Sequence, residues 1–422
     1  MTPPQQPSLA PSALTRTFGA LANPTFRRIL GFGGFYYTYR STELAVLSWF
    51  VLTLTDSEFQ VALVGVSRIL PMFLFGLMAG GLSDRFNRPV LMAIGQALNL
   101  AVAGSMVLLL TTGHAQYWHA YLAIFVTGTT WALDYASRRA LLGDLFSGKT
   151  LSSATALDAG LVTGANMIGP MLGTAVIRYF DFAGAYAAVA LLSAGALSLV
   201  LSVRAQPRQR SATAGRGSPL AQLRDAVALL RSNRDLLGAV LVTIVFNMMG
   251  FPFVQMVPVI ARNFLGAGEV SFGLLLSGLG AGSLAGAVLL AWAQSSRHGA
   301  IYVGGSAILT VSAIGFAWSP WYPLSYFFML LAGVGLAGFA SMQPVIPLLA
   351  VQPDQRGRAM GAIVLGIGFQ AAGMMFMGVI AEALGPRLAI TLSATIGLLM
   401  LVALRMTFSV LRDAPTRSAP PG

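Results

Sequence analysis

The chain has 422 residues, 56% of them hydrophobic and 9% charged, with a formal net charge of +12 and a mean hydropathy of +0.73. A water-facing surface needs roughly a quarter of its residues charged, so a soluble globular protein is excluded and most of the outer surface must face lipid. Nucleic-acid binding would need the excess positive charge gathered into one patch, whereas here it is scattered in small groups between apolar runs.

There is no cysteine, which removes disulfides, thiol chemistry and cysteine-ligated metals. His114, His119 and His298 are too few and too scattered for a metal site, and no cofactor is expected. Residues 1–24 are rich in Pro, Gln and Ser without the basic-then-apolar layout of a signal peptide, and read as a disordered tail.

A membrane-spanning helix takes roughly 20 apolar residues. Segments of that kind fall near 27–54, 59–82, 90–112, 117–137, 152–177 and 183–203, then near 236–258, 270–294, 300–318, 322–350, 359–381 and 387–408. The expectation is an all-α membrane protein of twelve transmembrane helices in two six-helix pseudo-repeats, 25–204 and 235–410. A polar linker over 205–234 joins them, and a short tail covers 411–422. Within the linker, Leu220 to Leu230 has apolar residues at helical spacing with arginines between, an amphipathic surface helix.

Basic residues orient the chain. With the N-terminus in the cytoplasm, 21 of the 26 Lys and Arg fall on the inner side. Only Arg178, Arg262 and Arg387 fall outside, while Arg40 and Arg68 lie within spans. Both termini are then cytoplasmic, which fits a bacterial inner membrane and a monomer. The halves also echo one another: SDRFNR after span 2 answers AQSSRHG after span 8, and SRRALLGDL after span 4 answers QPDQRGRAMG after span 10.

Two motifs suggest nucleotides and fail on context. GDLFSGKT, Gly143 to Thr150, matches a phosphate loop, which works only between a strand and a helix of a soluble domain. GVGLAG, Gly333 to Gly338, matches a dinucleotide fingerprint from within span 10. Small residues at i, i+4 let helix backbones approach closely, the better reading for Gly160 with Gly164 and Gly282 with Gly286. No Ser–His–Asp set or hydrolytic carboxylate pair falls outside the membrane. The chain therefore reads as a non-enzyme, an enzyme acting on lipid inside the bilayer being the alternative.

GGLSDRFNRPVL, Gly80 to Leu91, resembles the loop signature of the major facilitator superfamily, G-x-L-[AS]-D-R-x-G-R-[RK]. Gly80, Leu82, Ser83, Asp84, Arg85 and Arg88 match, Asn87 replaces a glycine and Pro89 a basic residue. SRILP (Ser67 to Pro71) and RGRAMG (Arg356 to Gly361) are similar to the branch holding macrolide-efflux and enterobactin-export proteins. GPMLG, with Gly169, Pro170 and Gly173, is similar to a packing element of span 5 common in antiporters of that superfamily. The resemblance implies alternating access between the two halves, with spans 1, 4, 7 and 10 lining the cavity. It also implies a conformational latch of Asp84, Arg85 and Arg88 with Arg138 or Arg139. The alternative is that these charges only set topology and a helix cap.

A charge at the centre of a span costs about 2.5–3.5 kcal/mol, so each needs a partner or a wet cavity. Such residues are Arg40 and Glu43 on span 1, Arg68 on span 2, Asp134 on span 4 and Asp158 on span 5. Asp134 has Arg138 at i+4, the spacing of a local ion pair. Glu43 is placed to pair with Arg40 at i−3 or with Arg68 across the interface. Glu43, Asp158 and Asp134 are the candidates for carrying a coupling proton, a structural ion pair being the alternative. The second half offers neutral polar groups, Asn247, Gln255, Gln343 and Gln370. Tyr36, Tyr39 and Trp131, with Phe35 and Tyr37 nearby, would suit a bulky, partly apolar small-molecule substrate if they line a cavity. The expectation is a proton-coupled exporter of a drug, macrolide-like compound or siderophore. The alternatives are a proton-coupled nutrient importer and a non-transporting membrane or lipid-handling protein.

Overall fold

The computed structural model describes residues 19–203, 219–293, 295–352 and 355–412. Within them the chain is helical, with no strand. Nine described segments are long and apolar enough to cross a membrane.

The first long helices are α1 (Pro24–Thr55), α2 (Glu58–Arg85), α3 (Arg88–Thr111) and α4 (Tyr117–Leu145). Neither α1 nor α4 is among the nine apolar segments, because these two carry Arg40, Glu43, Asp134, Arg138 and Arg139. The next helix, α5 (Gly148–Leu201), runs 54 residues and breaks at Phe180 and Asp181. Asp181 sits at φ 55°, where an ordinary helix cannot continue, which divides α5 at the place expected between spans 5 and 6.

The linker helix α6 (Pro219–Ser232) forms where the amphipathic pattern was read, and Leu229 packs against Ala359 and Ile363. After it, α7 (Arg234–Val245) does not run straight through. It passes into a π turn at Phe246–Gly250 and a 3-10 stretch at Phe251–Met256 before α8 (Val257–Asn263). Pro252 and Pro258 lack the amide hydrogens that a continuous α-helix would use there. Then come α9 (Glu269–Ala293), α10 (His298–Trp318), α11 (Tyr322–Met342) and the short α12 (Val345–Ala350). The last two are α13 (Arg356–Leu384) and α14 (Pro386–Thr407).

Two boundaries differ from the sequence reading. The expected tail over 1–24 is ordered from Gly19: a 3-10 turn, Gly19–Ala22, leads into α1, and Ala20 is buried with Phe26, Leu142 and Ala154. Asn23 makes this possible, accepting the Thr25 and Phe26 amides at 2.9 and 3.3 Å as an N-cap. At the other end Ser409–Arg412 forms a turn with Leu411 fully buried. Residues 1–18, 204–218 and 413–422, which hold the rest of the expected tails and linker, lie outside the described residues.

Helices α1 to α5 pack among themselves, as do α9, α10, α11, α13 and α14. The two sets meet along α2 with α13 and along the first half of α5 with α9. Close approach depends on missing side chains. A Cβ on Gly169 would lie 2.7 Å from the Ser41 Cβ, and one on Gly173 2.8 Å from Thr42 and Val46 side chains, so α5 lies directly on α1. The Thr42 hydroxyl donates to the Gly169 carbonyl at 2.9 Å across that contact. Gly282 and Gly286 of α9 touch the α11 backbone, and Gly335 and Gly338 of α11 touch α10. The GVGLAG run is thus a helix-crossing surface. Gly160 and Gly164 do not behave as expected, because open space lies where their side chains would be.

Candidate functional site

The charged residues of α1, α2, α4 and α5 form two clusters. The first centres on Arg138, which is 1% exposed although its side chain is the largest of those fully buried. Its guanidinium donates to Asp134 Oδ2 at 3.1 Å and Oδ1 at 3.3 Å, and to Asp158 Oδ1 at 3.4 Å. Phe32, Tyr36 and Tyr37 surround the guanidinium at 4.5, 5.5 and 4.8 Å from ring centre to Cζ. Tyr37 also donates to Asp158 Oδ2 at 3.0 Å. Two carboxylates thus share one guanidinium, leaving one negative charge that a single proton would neutralise. Asp134 makes the local pair expected from its spacing, and Asp158 joins it from the next helix.

The second cluster joins α1, α2 and α4. The Arg40 Cζ lies over the Trp131 ring, 3.9 Å from its centre, and Arg68 donates to the Arg40 carbonyl at 3.0 Å. Glu43, 1% exposed, pairs with neither arginine; its Oε2 accepts from the Thr127 hydroxyl at 2.9 Å. Thr127 was not among the candidates, since a threonine in an apolar helix carries no signal of its own. The hydroxyls of Tyr36 and Tyr39 are buried without a partner, as is Nη1 of Arg40.

This second cluster sits on the boundary between the two helix sets. Trp131 and Ala371 pack against the cluster of Val66, Ile69 and Met374, and both Met374 and Ala371 belong to α13. Gln255 closes against Gly65, one turn before Arg68, and Gln370 is buried beside Ala371. Asn247 is turned to its own helix, donating to the Thr243 carbonyl at 2.9 Å. Gln343 is the C-cap residue of α11, its backbone amide donating to the Phe339 carbonyl.

Of the expected latch, Arg138 is committed to the two aspartates, and Arg139 lies over Tyr135 at 4.1 Å. Arg88 forms an ion pair with Asp144, and Arg85 is exposed in the last turn of α2. The Asp84 side chain lies outside the described residues.

The two helix sets touch firmly at one end. Arg262, closing α8, pairs with Asp56 and donates to the Leu52 carbonyl at 2.9 Å. Trp49 stacks on Phe272 at 5.2 Å, and Glu382 of α13 binds the start of α2. At the other end, Gly160 and Gly164 on α5 and Gly357 and Gly361 on α13 face open space.

The sequence profile of the transmembrane secretion effectors, a branch of the major facilitator superfamily, matches residues 17–419. The chain belongs to this family. It is a multi-pass membrane transporter, not an enzyme. It is 22% identical to the staphyloferrin A transporter of Staphylococcus aureus over 58% of this chain and 61% of that one, so it spans under two-thirds of that relative. It is 19% identical to macrolide efflux protein A of Streptococcus pyogenes over 75% of this chain and 78% of that protein. Among solved structures it is similar to a point mutant of the nucleoside transporter NupG, with TM-score 0.72, 13% identity and coverage of 90% and 99%. A bacterial homologue of the lysosomal transporter Spinster, inward-facing and unoccupied, gives 0.72, 12% identity and coverage of 96% and 100%. At such identities these structures establish the shared fold alone.

Proposed function

We propose that this family member is a proton-coupled exporter of a bulky amphipathic small molecule, working by alternating access in a bacterial inner membrane. The observation that carries the reading is a cluster of buried charges at the seam of two helix sets that are joined by polar and aromatic contacts at one end. Such a seam is where a rocking transporter holds its substrate.

The nine apolar segments, the two charge-bearing helices α1 and α4, and the break in α5 together support twelve spans, six on each side of α6. The excess of Lys and Arg on the side of both termini supports a cytoplasmic location for them, so the end joined by Arg262, Asp56 and Glu382 faces outward. The names of the macrolide and staphyloferrin A relatives support the choice of substrate class and of export. In the opposite, outward-open arrangement, Asp84 with Arg85, Arg88 and Arg139 would latch the cytoplasmic ends together.

Coupling fits the two carboxylate positions. Asp158 shares Arg138 with Asp134 and has 17% of its side chain exposed. Glu43 is held by a hydroxyl and not by an arginine, which leaves it able to exist in either protonation state. In inverted vesicles, a panel of dyes, macrolides and siderophores should include compounds whose uptake rises with an imposed pH gradient. Glu43→Gln or Asp158→Asn should remove that dependence. Flux indifferent to the gradient and to both substitutions would end the proton-coupling reading.

A further inference from the structure

We infer that the site at the seam recognises an acidic group, and that the transported compound carries a carboxylate held by Arg40 and Arg68. This rests on the transporter reading above and narrows its substrate class.

Charges inside a membrane protein must balance locally, because the surrounding medium screens them poorly. Around Arg138 there are two carboxylates for one guanidinium. At the seam Arg40 and Arg68 stand beside Glu43, and of the first cluster's carboxylates Asp134 also lies within electrostatic reach of Arg40. Neither arginine has a carboxylate within 4 Å, since among the described residues the acidic partners lie with Arg88, Arg138 and Arg262. Arg68 spends one nitrogen on a backbone carbonyl, and Nη1 of Arg40 has no acceptor although it is buried.

The pose of Arg40 identifies what is missing. Its Cζ lies over the Trp131 ring, 3.9 Å from the centre, while its Nη1 donor group stays buried without an acceptor. A carboxylate matches the guanidinium fork with two parallel hydrogen bonds. The platform lies at the seam, since Trp131 packs against the cluster of Val66, Ile69 and Met374, the last from α13. An acid bound to Arg40 would therefore bear on both helix sets. Beside it the buried apolar cluster of Val66, Ile69 and Met374 is the surface that parting of the two helix sets would offer to the hydrophobic remainder of such a molecule.

The test uses the full-length protein in detergent with N-dansyl-leucine, an apolar monocarboxylate, and its neutral analogue N-dansyl-leucinamide. Binding is read as dansyl emission excited through tryptophan. Trp131→Phe should lower that transfer, which assigns the signal to this site. The carboxylate should bind about tenfold or more tightly than the amide, and Arg40→Gln and Arg68→Gln should each bring the ratio toward one. Arg40→Lys, which keeps the charge but loses the fork, should retain part of it.

Equal affinity for the two probes overturns the inference, as does a preference that survives both glutamine variants. So does failure of the carboxylate to bind below about 1 mM. Should the glutamine variants not fold, the wild-type ratio and Arg40→Lys still decide. A carboxylate preference in a protein that moves nothing across vesicles would sink the transport reading and leave the anion site standing. Flux of neutral compounds with no such preference would do the reverse.

Discussion

Glu382 accepts the Ser57 hydroxyl at 3.0 Å, a contact between residues 325 positions apart that brings the end of α13 onto the start of α2. The same carboxylate oxygen accepts the Phe59 amide at 3.2 Å, so one helix set supplies an N-terminal cap to a helix of the other. An anion there meets the positive end of the α2 dipole.

This contact and the Asp56–Arg262 pair should hold the outer end shut. Both are solvent-exposed, so each contributes only about 0–1 kcal/mol. Because the chain has no native cysteine, Ser57→Cys with Glu382→Cys gives a clean reporter of closure. Its cross-linking should block transport until reductant is added. Arg262→Ala in that background should lower the cross-linking yield up to about fivefold, and high salt should do the same. An unchanged yield would remove Arg262 from the closure.

Arg138 should be the least replaceable charge. Arg138→Met leaves Asp134 and Asp158 facing each other without their shared cation, at a cost of about 3–5 kcal/mol. The expected result is loss of the monodisperse peak after heating in detergent. Adding Asp134→Asn and Asp158→Asn should restore folding but not pH-gradient-dependent flux. A stable single variant would contradict the burial of this cluster.

Thr127→Val should leave Glu43 buried without its donor, costing about 1–3 kcal/mol, while Thr127→Ser should behave as wild type. Thermal unfolding of the purified protein compares them. Equal stability of all three would show that another group takes over the Glu43 carboxylate.

The glycines give a paired test. Gly169→Leu should force α5 off α1 and cost about 1–3 kcal/mol by overpacking, whereas Gly160→Leu enters open space and should leave folding intact. Expression and thermal stability separate the two. Equal effects would mean that the α1–α5 contact is looser than its spacing indicates.

Much of this was legible because membrane solvation leaves a coarse imprint. The break at Phe180 and Asp181, the α6 helix and the Asp134–Arg138 pair all follow from local spacing. Asp158 at Arg138 and Arg40 on Trp131 depend on how separate helices turn toward each other, which no local pattern encodes. The outer contacts did leave a trace. Glu382 lies in the last turn of α13, where the helix dipole disfavours an acid, and that anomaly needed a partner. Asn23 before Pro24 was likewise a readable helix start, hidden by the polar composition around it. Gly160 and Gly164 fit a packing pattern, but a pattern does not say whether a neighbour arrives.

The glycine crossings of α9, α10 and α11 carry a mechanical consequence. Where backbones touch with only hydrogen atoms between them, neither sliding nor tilting is available without collision. A close crossing of this kind would favour movement of those three helices together, like the arm of a lever. Any bending would then fall elsewhere, and the segment from Phe246 to Met256, wound first too loosely and then too tightly, is where we expect the flexure.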